Sequence, residues 1–193
     1  SSWEKIKSYS KRSKKIQSFR LESNRGAAFS RNFGIKKSQG RYVTFLDSDD
    51  IWLPNKLSFQ YKTFLREKAA IVFSDYYVVR NYSENPKKII KSKRKIFFKD
   101  ILKTNYICTS TAAYDTLKVG KELMPNIYQR HDWALWMQIL KKDEHFFGYC
   151  ISHPLAIRLQ HKKSLSANIP RSLYFNYCAL NRYGNLGKFN SIY

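Results

Sequence analysis

Acidic residues are scarce in this chain: 14 Asp and Glu stand against 36 Lys and Arg, a formal charge of +22. Cysteine is scarcer still. Cys108, Cys150 and Cys178 are odd in number, far apart and without a CxxC pair, so neither a disulfide framework nor a zinc site is indicated. A reducing cytosol is the compartment that such usage suggests. No apolar run approaches the roughly 18 residues that a membrane span needs; the longest are short, such as "AAIVF" at 69–73. Residues 1–15 contain no apolar h-region of a signal peptide. There is no initiating Met, so the chain is expected to be a fragment. Internal repeats are absent. So are RNP1, KH GXXG and zinc-finger patterns, which leaves a nucleic-acid-binding module supported by charge and aromatics alone, with nonspecific, salt-sensitive affinity.

What is present describes a folded protein. Hydrophobic residues make up 43% of the 193 and aromatics 16%, enough for one substantial core. The positive charge concentrates at residues 5–15 and 87–99. Such patches favour anionic partners, whether nucleic acid, anionic lipid or phosphorylated substrate; a lysine-rich proteome would give the same composition. Residues 3–17 read as a polar helix and "SFRLES" as a short strand. Asn24 and Gly26 mark a turn into a helix whose exit Gly34 and Gly40 bracket. "RYVTFL" and "AAIVFSDYYVV" read as buried parallel strands, "ICTSTAAY" as a third, and "HFFGYCIS" and "PLAIRLQH" as late ones. Pro54 fits the first turn of a helix with Leu57, Tyr61, Phe64 and Leu65 as its apolar face. Residues 80–99 read as a surface excursion. In "HDWALWMQILKK" the apolar Trp133, Trp136, Met137 and Leu140 share one helical face. Alternating strands and helices imply an α/β fold around a mostly parallel sheet.

Three of the few acids, Asp47, Asp49 and Asp50, crowd the end of the strand "YVTFL". Ligands gather at such carboxyl ends in open α/β sheets. Close carboxylates repel one another unless a cation joins them, and Mg²⁺ or Mn²⁺ would bind them while keeping positions for water or phosphate. A solvated acidic turn with Asp as helix cap is the plainer alternative. An EF-hand is excluded, because its Gly and Glu positions, counted from Asp47, hold Trp52 and Ser58. A haloacid-dehalogenase-like phosphatase is a weaker alternative, since Asp50 and Ile51 follow where that motif usually continues with Thr or Val.

The surrounding stretch "NRGAAFSRNFGIKKSQGRYVTFLDSDDIWLPNKL" resembles the nucleotide-sugar-binding region of family 2 glycosyltransferases. Asn24, Gly26, Arg31, Asn32, Gly34, Gly40, Tyr42, Asp47, Asp49, Asp50 and Trp52 match that pattern in order and spacing, with Ser30 in place of Ala. "QRHDWALWMQIL" looks like the family's E-D-x-x-L-W motif with His131 for Glu, and "IRLQHKKSLSAN" like its R-x-x-H-x-x-S-x-S segment, through Arg158, His161, Ser164 and Ser166.

The resemblance implies a Rossmann-like GT-A fold, a mostly parallel sheet flanked by helices. Residues 1–169 are expected as a partial domain lacking its first two strands, with residues 170–193 as a C-terminal helix and tail. It also implies transfer of a sugar from a nucleotide diphosphate sugar, a UDP-sugar before others, to the hydroxyl of a saccharide or lipid-linked saccharide acceptor, with inversion and Mn²⁺ or Mg²⁺. Asp49 would be a metal ligand, with Asp47 at the metal or ribose and His161 a distant metal ligand or diphosphate donor. Asp50 would contact the donor sugar or cap a helix. Arg31 would lie on the nucleotide side, and Asp132 would be the base. A cytoplasmic protein held peripherally on an anionic inner membrane face is the expected setting; a non-catalytic remnant is the alternative.

Overall fold

The computed structural model describes residues 2–81, 83, 85, 88–160 and 169–185. Its frame is two sheets flanked by helices. The first sheet runs β1 (Tyr42–Thr44), β7 (Ala113–Asp115), β3 (Ile71–Ser74), β8 (Gly148–Ile151) and β6 (Lys95–Ile96). The second runs β2 (Asp50–Trp52), β9 (Ala156–Leu159), β4 (Tyr76–Val79) and β5 (Lys88–Ile90). The expectation of a mostly parallel sheet is corrected here. Among the described pairings only β3 with β8 and β4 with β9 are parallel; the others are antiparallel, so both sheets are mixed. The antiparallel β7 is inserted between β1 and β3, which themselves run in the same direction.

β3 and β4 form one stretch that passes from sheet to sheet at Asp75. The ladder does not break there: the Asp75 N–H donates to Ile151 O at 3.1 Å, and its carbonyl accepts from Leu155 N at 3.2 Å. Residues 80–99 are more than an excursion, because β5 and β6 lie within them and Ile96 is fully buried against the first sheet.

Helix α1 (Ser2–Arg12) buries no residue, and α2 (Gly26–Lys37) runs through Gly34 rather than ending there. "SFRLES" is not a strand. Pro54 precedes α3 (Lys56–Glu67), whose cap is Asn55 with φ 65°. The expected apolar face of α3 is also corrected. Lys56, Gln60, Thr63 and Phe64 point inward, while Leu57, Tyr61 and Leu65 are each 54% exposed. The reason lies in the sheet. Pairing of β3 with β7 stops at Val72 and Ala113, and the Gln60 amide donates to the carbonyls of Thr111 (2.8 Å) and Val72 (3.3 Å) beside that point. Buried carbonyls need donors more than the helix needs another leucine inside.

Two short helices follow, α4 (Phe98–Ile101) and α5 (Thr116–Val119). Helix α6 (His131–Lys141) is the buried helix that its pattern predicts: Trp133, Trp136, Met137 and Leu140 are at most 4% exposed. Helix α7 (Ile169–Tyr183) packs on it and sends Ala179 into the same core. "ICTSTAAY" divides in two. Its middle, Thr109–Thr111, is a buried 3-10 turn, and β7 begins only at Ala113.

Candidate active site

The acidic stretch is the crossing from β1 of the first sheet to β2 of the second. Asp50 N–H closes the turn by donating to Asp47 O at 3.0 Å. The turn before α2 aims that helix at it: Gly26, at φ +82°, donates its N–H to Asn24 Oδ1 at 3.0 Å. This positive φ suits glycine. Asn32 then fixes α2 from the side, exchanging two 2.7 Å hydrogen bonds with the Met124 backbone.

Arg31 is thereby presented to Asp47. Its Nε lies 3.2 Å from Asp47 Oδ1, and its Nη2 donates to the same oxygen. Its Nη1 meets His131 Nε2 at 2.7 Å. An arginine has no acceptor, so the imidazole accepts, and it can do so only while neutral. Burial supports that state by lowering the His131 pKa. Where the resemblance expects Glu before the aspartate, this chain thus has a neutral ring bridging α6 to the acidic turn.

Asp132 follows in the first turn of α6 but does not cap it, since the cap position is Arg130. Its Oδ2 instead accepts from Thr109 Oγ1 at 3.1 Å and from Asn105 Nδ2 at 3.4 Å. Asp50 is likewise no helix cap. It sits on β2, where Oδ1 accepts from Leu159 N at 3.2 Å. Burial raises its pKa, with the charges of Asp47 and Asp49 adding, against hydrogen bonds from Ser110 and the Leu159 N–H. A cation nearby would reverse that direction.

A cavity of about 540 Å³ opens between α2 and the 42–48 stretch, with Ser30, Arg31, Tyr42, Leu46 and Asp47 among its walls. Asp49, Asp50 and Asp132 do not line it. His161, Ser164 and Ser166 lie outside the described residues. Among the described residues, no three His, Cys, Asp or Glu side chains converge as a metal cage.

Sequence reasoning missed what lies behind the acids. Ser110 Oγ accepts from Asp47 N at 3.1 Å, and its carbonyl accepts from Trp52 Nε1 at 2.7 Å. Lys56, 1% exposed, places Nζ 4.2 Å from the Trp52 ring centroid and 2.7 Å from Gln60 Oε1. Burial pushes its pKa down to about 7. A lysine seven residues after an acid is an ordinary surface pattern, and nothing in its spacing marks it as buried.

Residues 1–118 match glycosyl transferase family 2, well over half the chain. The chain belongs to that family. Among its relatives is the glycosyltransferase TuaG of Bacillus subtilis (strain 168), named for teichuronic acid biosynthesis. It is 34% identical over 163 residues, covering 84% of this chain and 64% of TuaG. WfgD of Escherichia coli, a UDP-Glc:alpha-D-GlcNAc-diphosphoundecaprenol beta-1,3-glucosyltransferase, is 33% identical over 120 residues, 62% of this chain and 46% of WfgD. The chain therefore spans less than two thirds of either relative's length. Among solved structures, S. aureus TarS 1-349 in complex with UDP-GlcNAc superposes with a TM-score of 0.68 at 16% identity, over 94% of this chain and 54% of TarS, which establishes a shared fold. Within this family 2 fold the described helices include none long and apolar enough to cross a membrane.

Proposed function

We propose that this chain carries the donor-and-base portion of a glycosyltransferase that moves a sugar from a UDP-sugar to an acceptor hydroxyl in bacterial surface polysaccharide synthesis. The observation that carries the reading is the convergence of Asp47, Arg31 and His131, drawn from three separate elements, at a cavity of about 540 Å³ that Arg31 and Asp47 line, with Asp132 next to His131 in the first turn of α6. That volume lies in the range of small-molecule sites. The donors named for WfgD and bound in TarS are UDP-sugars, and WfgD's acceptor is a diphosphoundecaprenol-linked sugar, which favours a lipid-linked saccharide acceptor here.

In this reading Arg31 meets the nucleotide phosphates, and Asp132 accepts the proton of the attacking hydroxyl. The acceptor oxygen bonds to the anomeric carbon as the bond to the diphosphate oxygen breaks, in one inverting displacement. Asp49 and Asp47 are the residues that would hold Mn²⁺ or Mg²⁺. Two carboxylates completed by diphosphate oxygens and water suit such an ion better than an all-protein cage. Bound there, it would supply counter-charge for the leaving diphosphate. The excess of basic residues would hold the protein on anionic lipid beside its acceptor.

Calorimetric titration of UDP with and without Mn²⁺, on the chain and on Asp49→Ala, tests the donor site. Metal-dependent binding that disappears in the variant is expected; equal binding without metal would refute the metal assignment. Sedimentation with anionic and neutral vesicles tests the membrane, and equal partition to both would sink that part.

A further inference from the structure

We propose that the buried turn Thr109–Ser110 is the positioning element that sets the donor-side acids and the base relative to each other. This rests on the transferase reading above. The two residues are consecutive, 6% and 1% exposed, yet face different halves of the site.

Ser110 serves the donor half. Its hydroxyl oxygen accepts from the Asp47 N–H at 3.1 Å, while its carbonyl accepts from the Trp52 indole at 2.7 Å. One serine thus holds the start and the aromatic flank of the acidic turn. Thr109 serves the acceptor half, donating Oγ1–H to Asp132 Oδ2 at 3.1 Å. A single peptide unit therefore links the two groups of carboxylates, and it is rigid by covalent geometry.

The turn is anchored from behind. Thr111 N and Oγ1 both donate to Cys108 O, at 2.9 and 2.8 Å. Gln60 donates to the Thr111 carbonyl at 2.8 Å and accepts from Lys56 Nζ, which sits under Trp52. The inward polar face of α3 has a use in this arrangement: it fixes the turn that fixes the carboxylates. Neither Thr109 nor Ser110 needs to touch substrate. Each acts through the acid that it holds, and the two should separate in kinetics.

The test compares the unmodified chain with Thr109→Val, Thr109→Ser and Ser110→Ala. Two quantities are read: Mn²⁺-dependent UDP affinity by calorimetry, and the turnover of UDP release from UDP-glucose and UDP-N-acetylglucosamine. Thr109→Val should leave UDP affinity within about twofold while kcat falls roughly 10- to 100-fold, the usual weight of a hydrogen bond to a charged group. Thr109→Ser, which keeps the hydroxyl, should regain most of that loss. Ser110→Ala should weaken UDP affinity by about tenfold or more. Equal losses in both quantities for both variants, or no rescue by serine, would overturn the division of labour. Failure of the unmodified chain to bind UDP with Mn²⁺ would instead overturn the donor-site reading beneath it, so the two failures are told apart.

Discussion

Lys56 offers the most quantitative prediction. Burial lowers its pKa from 10.5 to about 7. The ammonium retains two oxygen acceptors, Gln60 Oε1 at 2.7 Å and Thr44 Oγ1 at 3.3 Å, and the face of Trp52. Because the folded value lies below the unfolded one, the unfolded chain binds more protons between them, and stability must rise with pH across that window. The slope approaches about 1.4 kcal/mol per pH unit well inside the window and is about half that near pH 7. Integration from pH 7 to pH 9 gives about 2 kcal/mol of added stability. Urea unfolding of the chain and of Lys56→Met at pH 7, 8 and 9, followed by tryptophan fluorescence, isolates this contribution. Lost hydrogen bonds to Gln60 and Thr44 offset the variant by a constant. The cysteine thiols, which burial pushes up at Cys108 and Cys150, are common to both chains and cancel in the difference. The gap between the two proteins should therefore move by about 2 kcal/mol in favour of Lys56 as the pH rises. A gap that stays constant from pH 7 to 9 would refute the reasoning.

Three further outcomes follow from the geometry. Gly148→Ala would place a Cβ 2.9 Å from Ile96 Cγ1 and 3.2 Å from Ile96 Cδ1 in a fully buried contact, so the urea midpoint should fall by the equivalent of about 1–3 kcal/mol. Asn32→Ala removes both hydrogen bonds to the buried Met124 backbone and should cost about 2 kcal/mol, with secondary structure retained by circular dichroism. His131 has a lowered folded pKa, so the unfolded chain takes up that proton first as pH drops below 6.5. Stability should decline from pH 7 to pH 5 more steeply in the unmodified chain than in His131→Gln, which keeps a neutral acceptor for Arg31.

Much of this was legible in the residues, and unevenly so. The α6 face was readable because seven residues of one helix are buried and the 3.6-residue period needs no partner to be seen. The Asn24–Gly26 turn was readable because side chain and φ both act locally. Strand direction was not, since an apolar run looks the same in either orientation and the insertion of β7 beside β1 is set by distant pairing. The α3 face was misread because helical spacing counts leucines and cannot count the buried carbonyls of Val72 and Thr111 to which Gln60 donates. Among candidate site residues, motif spacing pointed to Arg31, Asp47 and Asp132, but their partners Thr109, Ser110 and His131 Nε2 depend on contacts 23 to 100 residues apart. "TST" inside an apolar stretch reads as strand, because hydroxyl residues suit strands as well as turns.

The unbroken ladder at Asp75 has a mechanical consequence. The continuous stretch β3–β4 runs beside β8 and then β9, and Asp75 is bonded to Ile151 and Leu155 on either side of the bend that joins those two strands. Shear between the sheets would have to tear that seam, so they behave as one bent plate rather than as two hinged leaves. The acidic turn also joins the two sheets, running from β1 at an edge of the first to β2 at an edge of the second. Its carboxylates are therefore mounted on a stiff corner. In the proposed transfer, any tightening around the donor would fall to helix α2 and the connecting loops, while the corner keeps its shape.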